Sequence, residues 1–413
     1  MNVIFLGGIF PSELKDTITA NSMGPMANAN NALQWALVSG LGQLCKSLEV
    51  VALPQVGAYP RRYKSLFVDG QRVAFPNGVK GESVGFFNLA GVKHWSRYRG
   101  ALRALTSRIE QTPAAPPVLI IYDLHAPFLK AATAVKKRYP GVAICVVVPD
   151  LPGFTGGATS VLHKMFYHIE GRSRAASYDA IDSYVLLSKH MVELLPVGER
   201  PWVVVEGIFD SVSSDASPDA PRDPELRTVF YSGALDRRNG LPELLDAFRR
   251  IAGKNYRLVL CGDGDMRDDV QAAASADSRI IFKGQIARSE VLALQRQATL
   301  LVNPRPPDAE FTRYSFPSKT MEYLASGVPV LMHQLEGVPD EYYEHCYCIE
   351  GGDGATLAQS IATICETAEE ELAARGAAAR AFVLQRKNPV VQCSKILDLA
   401  VARAEKTGGG RAA

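Results

Sequence analysis

Ser318, Lys319 and Glu322 are the residues of this chain best spaced for chemistry. They lie in Tyr314-Ser315-Phe316-Pro317-Ser318-Lys319-Thr320-Met321-Glu322, with Gly327-Val328-Pro329-Val330 following. Proline at a helix start and glycine just past its end frame a short helix. The first amides of such a helix, near Ser318 and Lys319, have no partner inside it and carry the positive end of its dipole. They form an anion site suited to phosphate without a metal. Glu322, one turn on and on the face of Ser318, is spaced to reach a hydroxyl carried by that phosphate. The same spacing also describes an ordinary capped helix.

A second set of residues follows predicted strands. Gly7-Gly8 comes after the first strand, and glycine lets backbone approach another group closely. The third glycine of a dinucleotide fingerprint is absent. His125 stands at the carboxyl end of the strand Val118 to Tyr122, where ligands of open α/β sheets collect. Asp150 follows the strand Ala143 to Val148 and suits either acceptor hydroxyls or turn fixation. Asn28 and Asn30, in the amide-rich segment from Asn21 to Asn31, suit sugar hydroxyls. In the second half, Arg237 and Arg238 follow a strand, and a guanidinium grips two phosphate oxygens at once. Gly284 ends another strand. Asp263-Gly264-Asp265 has the residue types of a metal site, but its place after a strand favours a strand-to-helix turn. His345 with Cys346 and Cys348 fits no common zinc spacing, so no metal is expected.

The elements that must position these residues alternate. Val3–Leu6, Val50–Leu53, Val118–Tyr122, Ala143–Val148, Tyr184–Leu187 and Val203–Val205 read as strands, several apolar at every position. That pattern requires burial on both faces, as in a parallel sheet between helices. Helices are predicted from about Met26 to Lys46, Trp95 to Gln111, Phe128 to Arg138 and Val161 to Ser177. The segment Arg61 to Phe87 is less regular and suits an excursion or an antiparallel pair. The stretch from Asp210 to Asp223 lacks apolar periodicity and reads as a linker. Strand and helix patterns then restart and run to Met332, followed by helical patterns from Ala355 to Leu384 and Val390 to Ala404. At 413 residues the chain exceeds one core, and the reading is two doubly wound α/β domains, 1–207 and 208–388, with 389–413 as a closing helix and frayed tail.

A net charge of +2, with 21% charged and 47% hydrophobic residues, describes a soluble globular protein and gives no sign of nucleic-acid binding. Seven scattered cysteines suit reduced thiols of a cytoplasmic protein. The N-terminus has no signal-peptide pattern, and no stretch reaches the roughly 18 apolar residues of a membrane span. Lys93 to Arg99, and Arg61-Arg62 with Lys64, mix basic and aromatic residues. That composition suits either a solvated helix face or a peripheral contact at the inner face of a membrane.

The string from Tyr314 to Val330 resembles the donor-binding motif of family 4 of the retaining GT-B glycosyltransferases. The resemblance implies a GT-B architecture, two Rossmann-like domains facing an interdomain cleft, with the N-terminal one binding acceptor and the C-terminal one the sugar nucleotide. It implies crossing of the last helix back to the first domain. It implies a retaining transfer of a hexose from a nucleoside diphosphate sugar to a glycan or lipid-linked acceptor, in polysaccharide or glycoconjugate biosynthesis, with no cofactor or metal. Glu322 would bind ribose hydroxyls, Ser318 and Lys319 the diphosphate, and His125 the donor sugar. Gly8, Asn28, Asn30 and Asp150 would face donor and acceptor, and Gly284 the base. Ser232 to Gly240 is similar to the family's phosphate-grasping loop. The chain departs from the family at Tyr314, where a second glutamate is usual, and at Ala234 and Asn239, where arginine and lysine are usual. Those departures keep two alternatives open: a nucleotide-sugar epimerase of the same architecture, and a non-catalytic sugar-nucleotide or glycan-binding module.

Overall fold

The computed structural model describes residues 1–24, 26–111, 116–151, 177–211 and 222–408. The chain divides into two compact units, Met1–Ile208 with Pro389–Ala413, and Phe209–Asn388. The helix expected from Val161, most of the expected linker and the end of the tail lie outside the described residues.

In the first unit, β1 (Asn2–Gly7), β2 (Ser47–Ala52), β4 (Gln71–Ala74), β5 (Lys80–Ser83), β7 (Val118–Tyr122), β8 (Ala143–Val148), β9 (Ser183–Leu186) and β10 (Trp202–Val204) form one sheet in the order β10-β9-β8-β7-β1-β2-β5-β4. Every pair is parallel except β4 with β5. The short β3 (Phe67–Val68) and β6 (Phe86–Phe87) form a separate antiparallel pair. The irregular segment after Arg61 thus holds the antiparallel pairing its patterning suggested. Phe5, Val50, Ile120 and Val147 are fully or almost fully buried. Each such side chain contributes about 1.5–3 kcal/mol. The helix Pro389–Gly408 packs on the helix Asn28–Leu44, where Cys393 donates to the carbonyl of Leu37 at 3.5 Å. Cβ on Gly40 would lie 2.3 Å from the Pro389 carbonyl oxygen.

The second unit is a six-stranded, all-parallel sheet in the order β13-β12-β11-β14-β15-β16. Its strands are β11 (Arg227–Ser232), β12 (Tyr256–Cys261), β13 (Ile280–Gly284), β14 (Leu300–Asn303), β15 (Val330–Met332) and β16 (Tyr347–Cys348). Val229 and Tyr231 pack into a core with Leu244, Phe248 and Leu258, while Phe230 packs with Leu301, Leu324 and Phe382. Neighbouring residues of β11 therefore serve opposite cores. That two-sided burial is what the all-apolar strands required.

The parallel part of each sheet reverses its strand order once. In the first unit the reversal lies between β1 and β7, in the second between β11 and β14. Ligands of doubly wound sheets bind beyond the carboxyl ends of the strands at such a reversal. The residues following these four strands therefore line the places where a ligand would bind.

Candidate functional site

In the second unit, the loops after β11 and β14 meet. Gly240 is left-handed at φ 79°, and a Cβ there would lie 1.9 Å from the Pro304 carbonyl oxygen. Only glycine satisfies both demands. Gly233, at φ 139°, leaves room for the Lys319 ammonium, since its Cβ would lie 2.8 Å from Nζ. The helix that carries Lys319 spans Lys319–Ser326 and ends at Gly327. Ser318 is its N-cap and makes no side-chain capping bond, while the Thr320 amide donates to the Pro317 carbonyl.

Lys319 reaches solvent along its stem, but its Nζ is enclosed and has no hydrogen-bond partner. The ammonium lies 4.0 Å from the centroid of the Tyr231 ring, a cation–π contact. Burial, reinforced by Arg305, pulls its pKa down to about 7, while Asp236 and Glu322 act in the other direction. Arg305 donates to Asn239 Oδ1 at 3.2 Å and stacks over Phe311 at 5.2 Å. Its Nε is buried without a partner, and burial lowers its pKa. Two cations with unfilled donors thus adjoin the start of one helix. Such a cluster is completed by an anion with several acceptor oxygens.

The arginines singled out in the sequence are placed differently. Arg237 pairs with Asp269 at 3.1 Å and Arg238 with Asp236 at 3.6 Å, both guanidinium groups mostly exposed. Arg238 also lies 6.0 Å from the Phe311 ring that Arg305 covers. Arg305 was not among the predicted site residues. Its position immediately after a buried strand at a sheet reversal is the signal that could have found it. Glu322 accepts from Gln295 Nε2 at 2.9 Å and pairs with Arg288 at 2.8 Å. Gly284 stands at the end of β13 with open space around it, and its carbonyl accepts from Gly262 N. Tyr314 closes a short turn by donating its amide to Phe311 O. Asp263 and Asp265 behave as turn residues: Asp263 accepts from the Gly264 amide at 3.0 Å and Asp265 from that of Arg237 at 3.3 Å.

In the first unit, a cavity of about 200 Å³ is bounded by Gly8, Lys93, His94, Arg97, Asp123 and His125, among others. Gly8 and His125, separated by more than a hundred residues, thus line one space. His125 caps the helix Ala126–Arg138, its ring 5.4 Å from that of His94 and 4.8 Å from that of Phe128. Arg97 is 2% exposed; it donates to the carbonyls of Leu53 and Pro54 at 2.8 Å and lies between Phe86 and Phe128. Burial lowers Arg97 to about 9, against the pull of Asp123, and lowers Lys93 to about 7 with help from Arg97. Asp150 sits beside Asp123. Burial and that neighbouring charge raise its carboxyl to about 6, while a hydrogen bond from Asn30 opposes the rise. Asn30 belongs to the first turn of the helix Asn28–Leu44, and Asn28 opens that helix on an exposed face. The cavity wall therefore carries Lys93 and Arg97 with one acid, Asp123, and a protonatable acid next to that one.

Residues 226–367, within the second unit, match the family model for glycosyl transferases group 1. No curated protein matches the chain at a significant level. Among solved structures, sucrose-phosphate synthase (tll1590) from Thermosynechococcus elongatus matches with a TM-score of 0.63 at 14% identity, over 97% of this chain and 99% of that one. Anabaena Alr3699/HepE in complex with UDP matches with a TM-score of 0.60 at 14% identity, over 97% of this chain and 100% of that one. The α,α-trehalose 6-phosphate synthase from Burkholderia multivorans matches with a TM-score of 0.62 at 14% identity, over 100% of this chain and 99% of that one. The architecture is that of the GT-B glycosyltransferases, two Rossmann-like domains.

Proposed function

We propose that the protein is a metal-independent glycosyltransferase of the family 4 type. It moves a hexose from a nucleoside diphosphate sugar to a hydroxyl of a glycan or lipid-linked acceptor, in polysaccharide or glycoconjugate biosynthesis. The observation that carries this reading is the enclosed, partnerless ammonium of Lys319 beside Arg305, at a helix start and a sheet reversal. The family match over 226–367 supports the same assignment.

In this reading a diphosphate supplies the acceptor oxygens that Lys319 and Arg305 lack. As the bond between the sugar C1 and the phosphate oxygen breaks, negative charge grows on the departing diphosphate. Fixed donors aimed at that charge lower the barrier, because they need no reorganisation at the moment of reaction. Glu322 holds the ribose hydroxyls, with Gln295 and Arg288 setting the carboxylate's orientation. The first unit's cavity receives the acceptor hydroxyl, with His125 and Gly8 on its wall. With retention, the acceptor oxygen bonds to C1 on the face the leaving group vacates, and its proton passes to the departing phosphate oxygen. HepE structures name UDP, glucose and UDP-glucose, which makes UDP-glucose the first donor to try. The expected location is cytoplasmic.

One observation favours a second stereochemical course. Asp150 neighbours Asp123, an acid of the cavity wall, and burial with that like charge raises its carboxyl to about 6, an acidity suited to a general base. A direct displacement assisted by Asp150 would invert the anomeric centre. The test is a panel of UDP-, GDP- and ADP-sugars incubated with candidate acceptors in the presence of EDTA. Acceptor-dependent release of nucleoside diphosphate is the expected result. Turnover without acceptor would mark an epimerase, and binding without turnover a non-catalytic module.

A further inference from the structure

Thirteen large apolar side chains stand exposed among the described residues, and six of them fall between residues 66 and 95: Leu66, Phe67, Phe87, Leu89, Val92 and Trp95. They form one corner of the first unit. Phe67 and Phe87 pair across β3 and β6 with ring centroids 5.3 Å apart. The Leu66 carbonyl accepts from Asn88 N, and that of Leu89 from Val92 N. Phe87 N donates to Ser96 Oγ at 3.0 Å, which ties the pair to the first turn of the helix Lys93–Glu110. Trp95, 60% exposed, carries Arg99 against its ring at 5.5 Å.

The charge around this corner is one-sided. From Tyr59 to Ala104 there are nine Lys and Arg and two Asp and Glu, in a chain whose totals are 45 and 43. Arg61, Arg62, Lys64 and Arg99 are exposed there, and Asp69 is the exposed acid. Protein-binding patches share aromatic residues and arginine but are depleted in lysine, whereas this corner adds Lys64 to its exposed cations and sets one exposed acid against them. Exposed aromatic and aliphatic side chains within such a one-sided charge are the composition of a bilayer interface, where rings sit at headgroup depth and cations meet lipid phosphates. The basic stretch Lys93 to Arg99 divides in space: Trp95 and Arg99 face outward, whereas Lys93, His94 and Arg97 bound the cavity.

We propose that this corner docks on an anionic lipid bilayer, with Phe67, Phe87 and Trp95 at headgroup depth and Arg61, Arg62 and Arg99 against the phosphates. Resting on the glycosyltransferase reading, it follows that the acceptor is anchored in that bilayer, because the first two turns of the helix Lys93–Glu110 supply both the docking surface and the cavity wall.

The test is flotation of the full-length protein with vesicles of phosphatidylcholine alone, or with about a third phosphatidylglycerol, at low and high salt. Wild type is expected to float with the anionic vesicles and to be released by salt. Arg61→Ala with Arg62→Ala should weaken partitioning about thirtyfold, from the loss of two surface cations. Phe67→Ser, Phe87→Ser and Trp95→Ser together should abolish flotation at unchanged circular dichroism, since all three side chains are exposed. Failure of wild type to float at low salt overturns the proposal, as does equal flotation of the triple variant. A dimer in solution that the triple variant converts to monomer, without flotation, would assign the patch to a second copy. No donor enters this assay, so flotation without transfer would refute the enzymatic reading alone.

Discussion

The Lys319 ammonium lies 4.0 Å from the centre of the Tyr231 ring, enclosed and without a hydrogen-bond partner. Because its pKa is lowered to about 7, a nucleoside diphosphate held there would bind with a pH-dependent affinity. The anion binds the protonated amine, so bound ligand raises the pKa and the free protein must take up a proton above pH 7. Affinity for a nucleoside diphosphate should be level below pH 7 and fall by up to about tenfold per pH unit above it. Calorimetric titration from pH 6 to 9 checks this, with Lys319→Met expected to remove the slope.

Arg305 and Arg237 should differ sharply. Arg305 is half-buried beside Lys319, whereas Arg237 is held by Asp269 at a mostly exposed surface. Arg305→Ala should weaken nucleoside diphosphate binding by about tenfold or more, as expected for a charge-assisted contact. Arg237→Ala should change it by less than about twofold, because exposed ion pairs contribute little. Equal losses would place the phosphate on the loop after β11 instead.

Glu322 makes a separable contribution. Glu322→Ala should abolish transfer and weaken nucleoside and nucleoside diphosphate alike, while inhibition by inorganic pyrophosphate stays unchanged. Arg288 is mostly exposed and would rehydrate, whereas Gln295 is fully buried and would keep only Ser232 Oγ at 3.4 Å, so the thermal midpoint should fall by a few degrees. Full activity of Glu322→Ala would remove the ribose role.

How far this could be read in advance depended on range. Strands such as Ala143–Val148 were legible because every residue is apolar, and Lys319–Ser326 because proline and glycine bracket it. The chemistry of Lys319 was less so. Its enclosure depends on Tyr231 and Gly233, which come from a strand and turn more than 80 residues earlier. Arg97 looked like part of a basic surface, yet two carbonyls and two aromatic rings bury it. Arg305 is likewise held by Asn239 and Phe311, the first of them 66 residues away. Burial of a charged residue is decided by tertiary neighbours, and local pattern carries no trace of them.

Asp150 distinguishes the two stereochemical courses. With retention, Asp150→Asn should raise the acceptor KM by about tenfold, the loss of one hydrogen bond to a charged group, and the kcat profile should have no acid limb near pH 6. If Asp150 takes the acceptor proton, it must be ionised. Transfer would then fall as pH drops below 6, and the variant would lose about a hundredfold or more in kcat. The anomeric coupling constant of the product, read by NMR, settles which course operates.

The most direct measurement of the central claim is calorimetric titration of wild type and Lys319→Met with UDP, GDP and ADP at pH 6.5. At least one nucleotide should bind wild type and bind the variant about ten- to hundredfold more weakly, with the variant's thermal midpoint no lower, because a buried charge has been removed. Binding of none of the three, or equal binding to both proteins, would contradict the assignment of the Lys319 cluster as the donor phosphate site.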